Sequence, residues 1–391
     1  MSEKLFKSTA IVSGMTFLSR TLGFIRDIVI ARLFGAGLGT DVFFVAFKIP
    51  NFLRRLFAEG AFSQAFIPVL AEYRERGDHD LKGLIASTSG TLAGILFIIT
   101  AIGVIAAPII IVLFAPGFIN QPEKLSLAGD LLAITFPYLF FISLTALAGS
   151  ILNSFGKFAV PAFTPVFLNI SLIGTAIWLS PYFEQPITAL AWGVFLGGFV
   201  QLIFQIPFLI GINQLPRPRW DRQNSGVKKI FKLMIPAMFG VSVSQINLLL
   251  DTLLASFLVT GSISWLYYSD RLVELPLGVF GIAIATVILP SLSKKHASKS
   301  TVAFSNTIDW ALRWVFIIAT PAAIGLVYLS EPILITLFQY GEFSAHHAHQ
   351  ASLSLKAYAL GLLPFIFIKI LAPGYYARQD TKTPVKIGII A

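Results

Sequence analysis

Long apolar runs alternate with short polar stretches along almost the whole chain, and each run has the length of a bilayer-crossing helix. A membrane span needs about 20 predominantly apolar residues. The runs predict helices at 8–34, 41–71, 84–114, 126–153, 161–180, 186–211, 228–258, 264–292, 303–338 and 350–374, with a further one starting at 384. Lys4 and Lys7 before an apolar run would suit a signal peptide. Arg20, Arg26, Asp27 and Arg32 interrupt that run, however, and a second long apolar segment follows at once. The first segment therefore reads as a retained span, and the pattern predicts an all-α polytopic membrane protein.

Composition agrees with lipid as the solvent. Apolar residues make up 56% of the chain and charged residues 12%, with a mean hydropathy of +0.80. Soluble domains carry roughly 25% charged residues. There is no cysteine, which excludes disulfides and thiolate metal sites. A net charge of +10 would fit nucleic acid if the basic residues formed one patch, but they sort by loop instead. On the side of the N-terminus lie Lys4, Lys7, Arg74, Arg76, Lys82, Lys157, Arg217, Arg219, Arg222, Lys228, Lys229, Lys232, Lys294, Lys295, Lys299, Arg378, Lys382 and Lys386. The opposite loops, 35–40, 115–125, 181–185, 259–263 and 339–349, hold Lys124 alone. The positive-inside rule then places the N-terminus of this multi-pass, inner-membrane protein in the cytoplasm, and nucleic acid is not an expected partner.

The remaining basic residues sit inside the apolar runs, where an arginine at a helix centre costs about 2.5–3.5 kcal/mol on insertion scales. Arg32, Lys356 and Lys369 lie near helix ends, where a long side chain can snorkel to the headgroups. Arg313 has Asp309 one turn before it, as in a structural ion pair. Three helices are harder to explain in this way. In the second, Asp41, Lys48, Arg55 and Glu59 share one face at 100° per residue, subject to a phase error from Pro50. In the first, Arg20, Gly23 and Asp27 form a stripe, and in the eighth Asp270, Arg271 and Glu274 fall within one turn. Mixed charge with a surplus of arginine describes the wall of a polar cavity, and the planar guanidinium fork suits phosphate or carboxylate.

Other candidate chemistry is weaker. His346, His347 and His349 lie in an outer loop with only Glu342 near, so a solvated loop is the better reading and no metal is expected. Asp251 is a lone acid in the seventh helix, near Gln245 and Asn247, and is a possible cation site. Gly35-Ala36-Gly37-Leu38-Gly39 is a tight turn, because no strand precedes it as a phosphate loop requires. No nucleophile–base pair, zinc motif or Walker sequence is present, so the chain is not read as an enzyme and no cofactor is expected.

The chain also repeats weakly. Ile151-Leu152 and Thr164-Pro165-Val166 recur as Ile370-Leu371 and Thr383-Pro384-Val385, and Gly37 with Phe43-Phe44 resembles Gly261 with Tyr267-Tyr268. Such repeats fit two parallel six-helix halves. The first would cover 1–226 with a basic linker at 212–227. The second, 227–391, reads as incomplete, with Ala391 inside the eleventh helix.

Several stretches resemble one family closely. Ser19-Arg20-Thr21-Leu22-Gly23-Phe24-Ile25-Arg26-Asp27, Phe34-Gly35-Ala36-Gly37 and Thr40-Asp41-Val42-Phe43-Phe44-Val45-Ala46-Phe47-Lys48-Ile49-Pro50-Asn51 are similar to the MurJ (MviN) family. Leu53-Arg54-Arg55-Leu56-Phe57-Ala58-Glu59-Gly60-Ala61-Phe62-Ser63-Gln64-Ala65-Phe66 is the most specific match, and Tyr268-Ser269-Asp270-Arg271-Leu272 agrees. The resemblance implies the MOP (multidrug/oligosaccharidyl-lipid/polysaccharide) exporter superfamily and a flippase for lipid II, the undecaprenyl-pyrophosphate-linked peptidoglycan precursor. It implies two six-helix lobes around a central cavity, plus a final helix pair that this chain does not reach. Membrane lipid and cell-wall synthesis enzymes would be its partners. The family's cavity cations carry over to Arg20, Arg26, Arg54 and Arg271, with Asp27, Asp41 and Glu59 as acidic companions. The helical wheel favours Arg55 over Arg54; because Pro50 shifts the phase, the resemblance takes precedence. Rival readings are a multidrug or cation antiporter of the same superfamily, whose cavity would be dominated by acids, a non-transporting cell-wall scaffold, and a membrane transferase.

Overall fold

The computed structural model describes residues 3–56, 62–221, 223–278, 282–380 and 382–390, and among these every regular element is a helix. The chain divides into two compact units, Met1–Thr260 and Gly261–Ala391. Asp78–Ile105, Pro122–Ser154, Ala159–Tyr182, Thr188–Gly211, Thr301–Tyr328 and Ala345–Tyr376 are each long and apolar enough to cross a membrane.

The first unit opens with α1 (Glu3–Phe34), closed by Gly35 in a left-handed conformation (φ 66°) whose N–H reaches the Ala31 carbonyl at 2.8 Å. After the glycine-rich turn comes α2 (Leu38–Arg54), in which residues 41–47 are all buried. The predicted single helix 41–71 is therefore α2, a turn of π geometry at Arg55–Leu56, and α3 (Ser63–Arg76). Pro50 does not end the helix; the change comes one turn later. The unit continues through α4 (Asp78–Ile105), α5 (Ala107–Phe114), α6 (Pro122–Thr135), α7 (Tyr138–Ser154), α8 (Ala159–Phe163), α9 (Pro165–Gly174), α10 (Thr188–Gly211) and α11 (Ser225–Ala255). The predicted helix 126–153 is divided at Pro137, which has no N–H to continue the ladder. Helices approach closely where small residues allow it. A Cβ on Gly193, Gly197 or Gly198 of α10 would fall within 3 Å of Thr175, Leu168 or Tyr138.

The basic linker before α11 is not a loose tether. The Arg219 N–H donates to the Ala86 carbonyl of α4 at 3.0 Å, and the Gln214 amide donates to Asp78 at 2.8 Å. A Cβ on Gly90 would lie 2.3 Å from the Arg219 backbone, and one on Gly94 would lie 2.0 Å from the Trp220 ring. The Asn224 side chain then caps α11 by accepting from Gly226 and Val227. Tyr73 of α3 meets Ser225 at 3.0 Å, so α11 packs with the first unit. The division by contacts thus falls one helix beyond position 226, where the sequence pattern starts again.

The second unit contains α12 (Ser262–Pro276), α13 (Ile282–Ala297), α14 (Thr301–Tyr328), α15 (Ser330–Phe338), α16 (Ala345–Tyr376) and α17 (Lys382–Ile390). Its core gathers Tyr268, Phe338 and Phe343, with ring centroids 5.2–6.0 Å apart. The order of elements resembles that of the first unit. The α12/α13 segment is interrupted as α2/α3 is, with π geometry at Leu277–Gly278. The α14–α15 junction at Leu329 (φ −97°, ψ 10°) has the backbone of the α4–α5 junction at Ala106 (φ −88°, ψ 8°).

Candidate functional site

In the first unit the buried charge centres on adjacent residues of α1. Arg26 donates from Nε and Nη2 to Asp27 Oδ1 at 2.9 and 2.6 Å, with the side chains 7% and 1% exposed. Burying two ions is costly, and the close paired geometry offsets part of the desolvation of each. A third group completes it: Asn169 of α9 accepts from Arg26 Nη1 at 3.1 Å and donates to the Ser19 carbonyl at 3.1 Å. Arg20, nearly two turns earlier, is exposed.

On α2, Asp41 is 1% exposed, while Lys48, Arg54 and Arg55 are half-buried. Arg54 Nε donates to Asn51 Oδ1 at 2.9 Å, which draws the side chain back along its own helix. Glu59 lies outside the described residues, so its placement on this face stays an expectation.

In the second unit, Arg271 of α12 donates from Nη1 to Glu274 at 2.8 Å and from Nη2 to the Tyr267 hydroxyl at 3.1 Å. Its guanidinium carbon also stands 5.0 Å from the centre of the Tyr267 ring. The side chains of Arg271 and Glu274 are 33% and 48% exposed, and Asp270 is exposed.

The remaining candidates separate clearly. Arg313 and Asp309 form the expected ion pair at 2.9 Å on an exposed face, and Arg32 and Lys369 are exposed near helix ends. Asp251 is exposed on α11, and the side chains of Gln245 and Asn247 lie outside the described set. His349 pairs with Glu331 at 3.2 Å, and His347 accepts from the Trp265 indole at 3.3 Å. Among the described residues no three His, Asp or Glu side chains gather as a metal would require. A small apolar crevice lined by Phe62, Leu92, Leu96, Ser143, Phe231 and Met234 has none of the charged residues on its wall.

Comparison with known proteins decides the family. The family described as "Lipid II flippase MurJ" matches residues 30–391. A "Probable lipid II flippase MurJ" of Vibrio cholerae is 58% identical over all of this chain and 76% of its own length. One of Haemophilus influenzae is 56% identical over 96% of this chain and 77% of its own. The chain belongs to the MurJ family.

A solved structure titled "Lipid II flippase MurJ, inward closed conformation" agrees with a TM-score of 0.83 at 31% identity, over 97% of this chain and 78% of that one. An inward-facing MATE-family multidrug transporter of the MOP superfamily, 13% identical, shares the fold with a TM-score of 0.72 over 97% and 87%. The helical, multi-pass membrane character read from the hydropathy pattern agrees with both likenesses.

Two groups in this MurJ-family chain escaped the reading of its sequence. Asn169 was not singled out, although a lone amide inside the apolar run 161–180 is the signal that marks it. Lys124 was counted as an outer-loop charge, yet it is 2% exposed, with Nζ 5.3 Å from the Phe118 ring and Asp41 as the acid acting on it. A loop count registers a charge, not its burial.

Proposed function

We propose that this chain moves lipid II from the cytoplasmic to the periplasmic leaflet of the bacterial inner membrane by alternating access, with Arg20, Arg26, Arg54 and Arg271 receiving its pyrophosphate. Membership of the MurJ family supports the substrate. The observation that carries the site is Arg26, a guanidinium buried in the interior of a membrane-protein unit beside the Asp27 carboxylate and the Asn169 amide. A residue of that kind normally marks a substrate path.

The chemical problem is to take a polar, doubly charged headgroup through hydrocarbon while its polyprenyl tail stays in lipid. Guanidinium groups supply planar donor forks that match phosphate oxygens. Their acidic partners, Asp27 and Glu274, hold the arginines while no substrate is bound. Lys48 of α2 and Arg55 just after it, both half-buried, add positive potential, and Asp41 and Asp270 balance it. Rocking of two lobes then exposes the headgroup to the other side. Two negative charges crossing about 100 mV, inside negative, correspond to roughly 4–5 kcal/mol in favour of export.

The test is complementation of a flippase-depleted strain, with lipid II accessibility measured outside the membrane. Arg54→Ala and Arg271→Ala should abolish it at unchanged protein level, while Lys294, Lys295 and Lys299 changed together to Gln should leave it nearly intact. A dead loop triple with healthy arginine variants would refute the site. For orientation, a cysteine at exposed Arg217 should resist an impermeant reagent in intact spheroplasts, and one at exposed Glu342 should react. Labelling in the reverse pattern would overturn the topology.

A further inference from the structure

The structure assigns Asn169 as a positioning residue for the substrate-binding guanidinium of Arg26, an inference that rests on the reading of the site given above. Asn169 belongs to α9, 143 positions away in sequence, and is itself 6% exposed. Its amide has an oxygen that can only accept and a nitrogen that can only donate. The oxygen faces Arg26 Nη1, and the nitrogen faces the Ser19 carbonyl. Turning the amide over would set donor against donor and acceptor against acceptor at once, so the two contacts fix its orientation.

The result is a guanidinium gripped from two sides. Asp27 holds the Nε and Nη2 edge, and Asn169 holds Nη1. The two partners differ in what they do to the charge. Asp27 already sets one negative charge against Arg26; a second carboxylate would add another and weaken the site's attraction for an anion. A neutral amide fixes the fork and leaves its attraction for phosphate unchanged. A hydrophobic residue would leave both Nη1 and an extra lone pair on Ser19 without this partner. The second contact is equally specific, because it ties the group that orients Arg26 to the backbone of α1 itself, two turns before Arg26. The arginine is thereby referenced to its own helix as well as to α9.

Simple packing of α9 on α1 would explain the burial of Asn169 but not a preference for amide over acid. The substitution that separates the two is therefore Asn169→Asp, which keeps the size and an acceptor towards Arg26 and adds one charge. Two carboxylates sharing one buried guanidinium cannot both stay ionised as readily as one, so the added group takes up a proton at a higher pH than a free carboxylate does.

The measurement is binding of a polyprenyl pyrophosphate in detergent micelles to the purified protein between about pH 5 and 8, with transport followed in flippase-depleted cells and both normalised to the amount in the membrane. Asn169→Asp should weaken binding roughly tenfold or more on the alkaline side and recover towards acid, as expected for a buried uncompensated charge. Asn169→Ala should lose less and show no new pH dependence. The exchange Asp27→Asn with Asn169→Asp restores one acid and one amide around Arg26 and should regain both accumulation and binding over the single variant. A parent-like, flat profile for Asn169→Asp, equal losses for Asp and Ala without pH dependence, or no recovery in the exchange would each overturn the assignment. Arg26→Ala, run alongside, separates the two levels of the argument. If it binds the pyrophosphate lipid as the parent does, the site itself is wrong; if it fails while Asn169→Asp is normal, only the role of Asn169 falls.

Discussion

Arg26 and Arg271 are both arginines on membrane helices with an acid nearby, yet their surroundings differ sharply. Arg26 and Asp27 are 7% and 1% exposed and share their site with Asn169. Arg271 and Glu274 are 33% and 48% exposed, one turn apart on α12, with Tyr267 on the same face. The first arrangement is expensive to dismantle, because both ions are buried and the pair has been taken out of water together. The second can open at little cost, because water replaces whichever partner leaves. One arginine is therefore a fixed feature of its unit, and the other can leave its acid at little cost.

The largest effect should follow from breaking the buried pair. Arg26→Ala removes the guanidinium that donates twice to Asp27, and breaking a buried pair of this kind costs about 3–5 kcal/mol. Reduced membrane accumulation and a lower melting temperature in detergent should accompany loss of transport. Arg271→Ala should lose transport as completely while stability moves by less than about 1 kcal/mol, as for exposed pairs. Equal melting temperatures for the two variants would remove the distinction.

Lysine should sharpen the comparison at an intermediate level. Arg26 uses Nε and Nη2 for Asp27 and Nη1 for Asn169, a reach across two helices that one ammonium cannot reproduce. At position 271 a lysine keeps the positive charge above the Tyr267 ring and within reach of Glu274, both on the same helix. Arg271→Lys should thus retain partial transport, and Arg26→Lys should retain less. The reverse order, measured as lipid II exposed per molecule, would contradict the account.

Much of this was legible in the sequence, for identifiable reasons. Helix positions follow from runs of apolar residues, and the charged helices were conspicuous because charge in an apolar run is rare. What the one-dimensional pattern could not carry was partnership. A wheel put Asp27 with Arg20 and Gly23, whereas Asp27 pairs with its immediate neighbour, because a long guanidinium arm can fold across the 100° between adjacent positions. The same wheel ran straight through 41–71, but α2 gives way to π geometry at Arg55, so one angle per residue cannot rank Arg54 against Arg55. Asn169 was silent because its value comes from a helix that returns to α1 only after more than a hundred residues. The division at 226 followed the repeat, whereas packing of α11 on α3 and α4 decides where the compact unit ends.

The smallest effect belongs to a third charge pair, at the exposed end of the same scale. Glu72 of α3 accepts from Lys229 of α11 at 2.5 Å and also from Arg76, with Glu72 and Lys229 37% and 51% exposed. The Lys229 hydrogen bond, aided by Arg76, holds the Glu72 carboxyl below its ordinary value of 4.5. A carboxyl lowered in the folded state adds stability above its unfolded value and loses it as pH falls through the folded one. Whatever this pair contributes is therefore constant from about pH 7 to 5 and disappears only in stronger acid. Solvent and salt screen it throughout, since the Debye length shrinks from about 30 Å at 0.01 M to about 3 Å at 1 M. Lys229→Gln should leave transport unchanged, and any drop in melting temperature should be confined to low salt and vanish at about 1 M. If Lys229→Gln lowered the melting temperature as far as Arg26→Ala does, burial would not be what separates these pairs, and the contrast between Arg26 and Arg271 would need another cause.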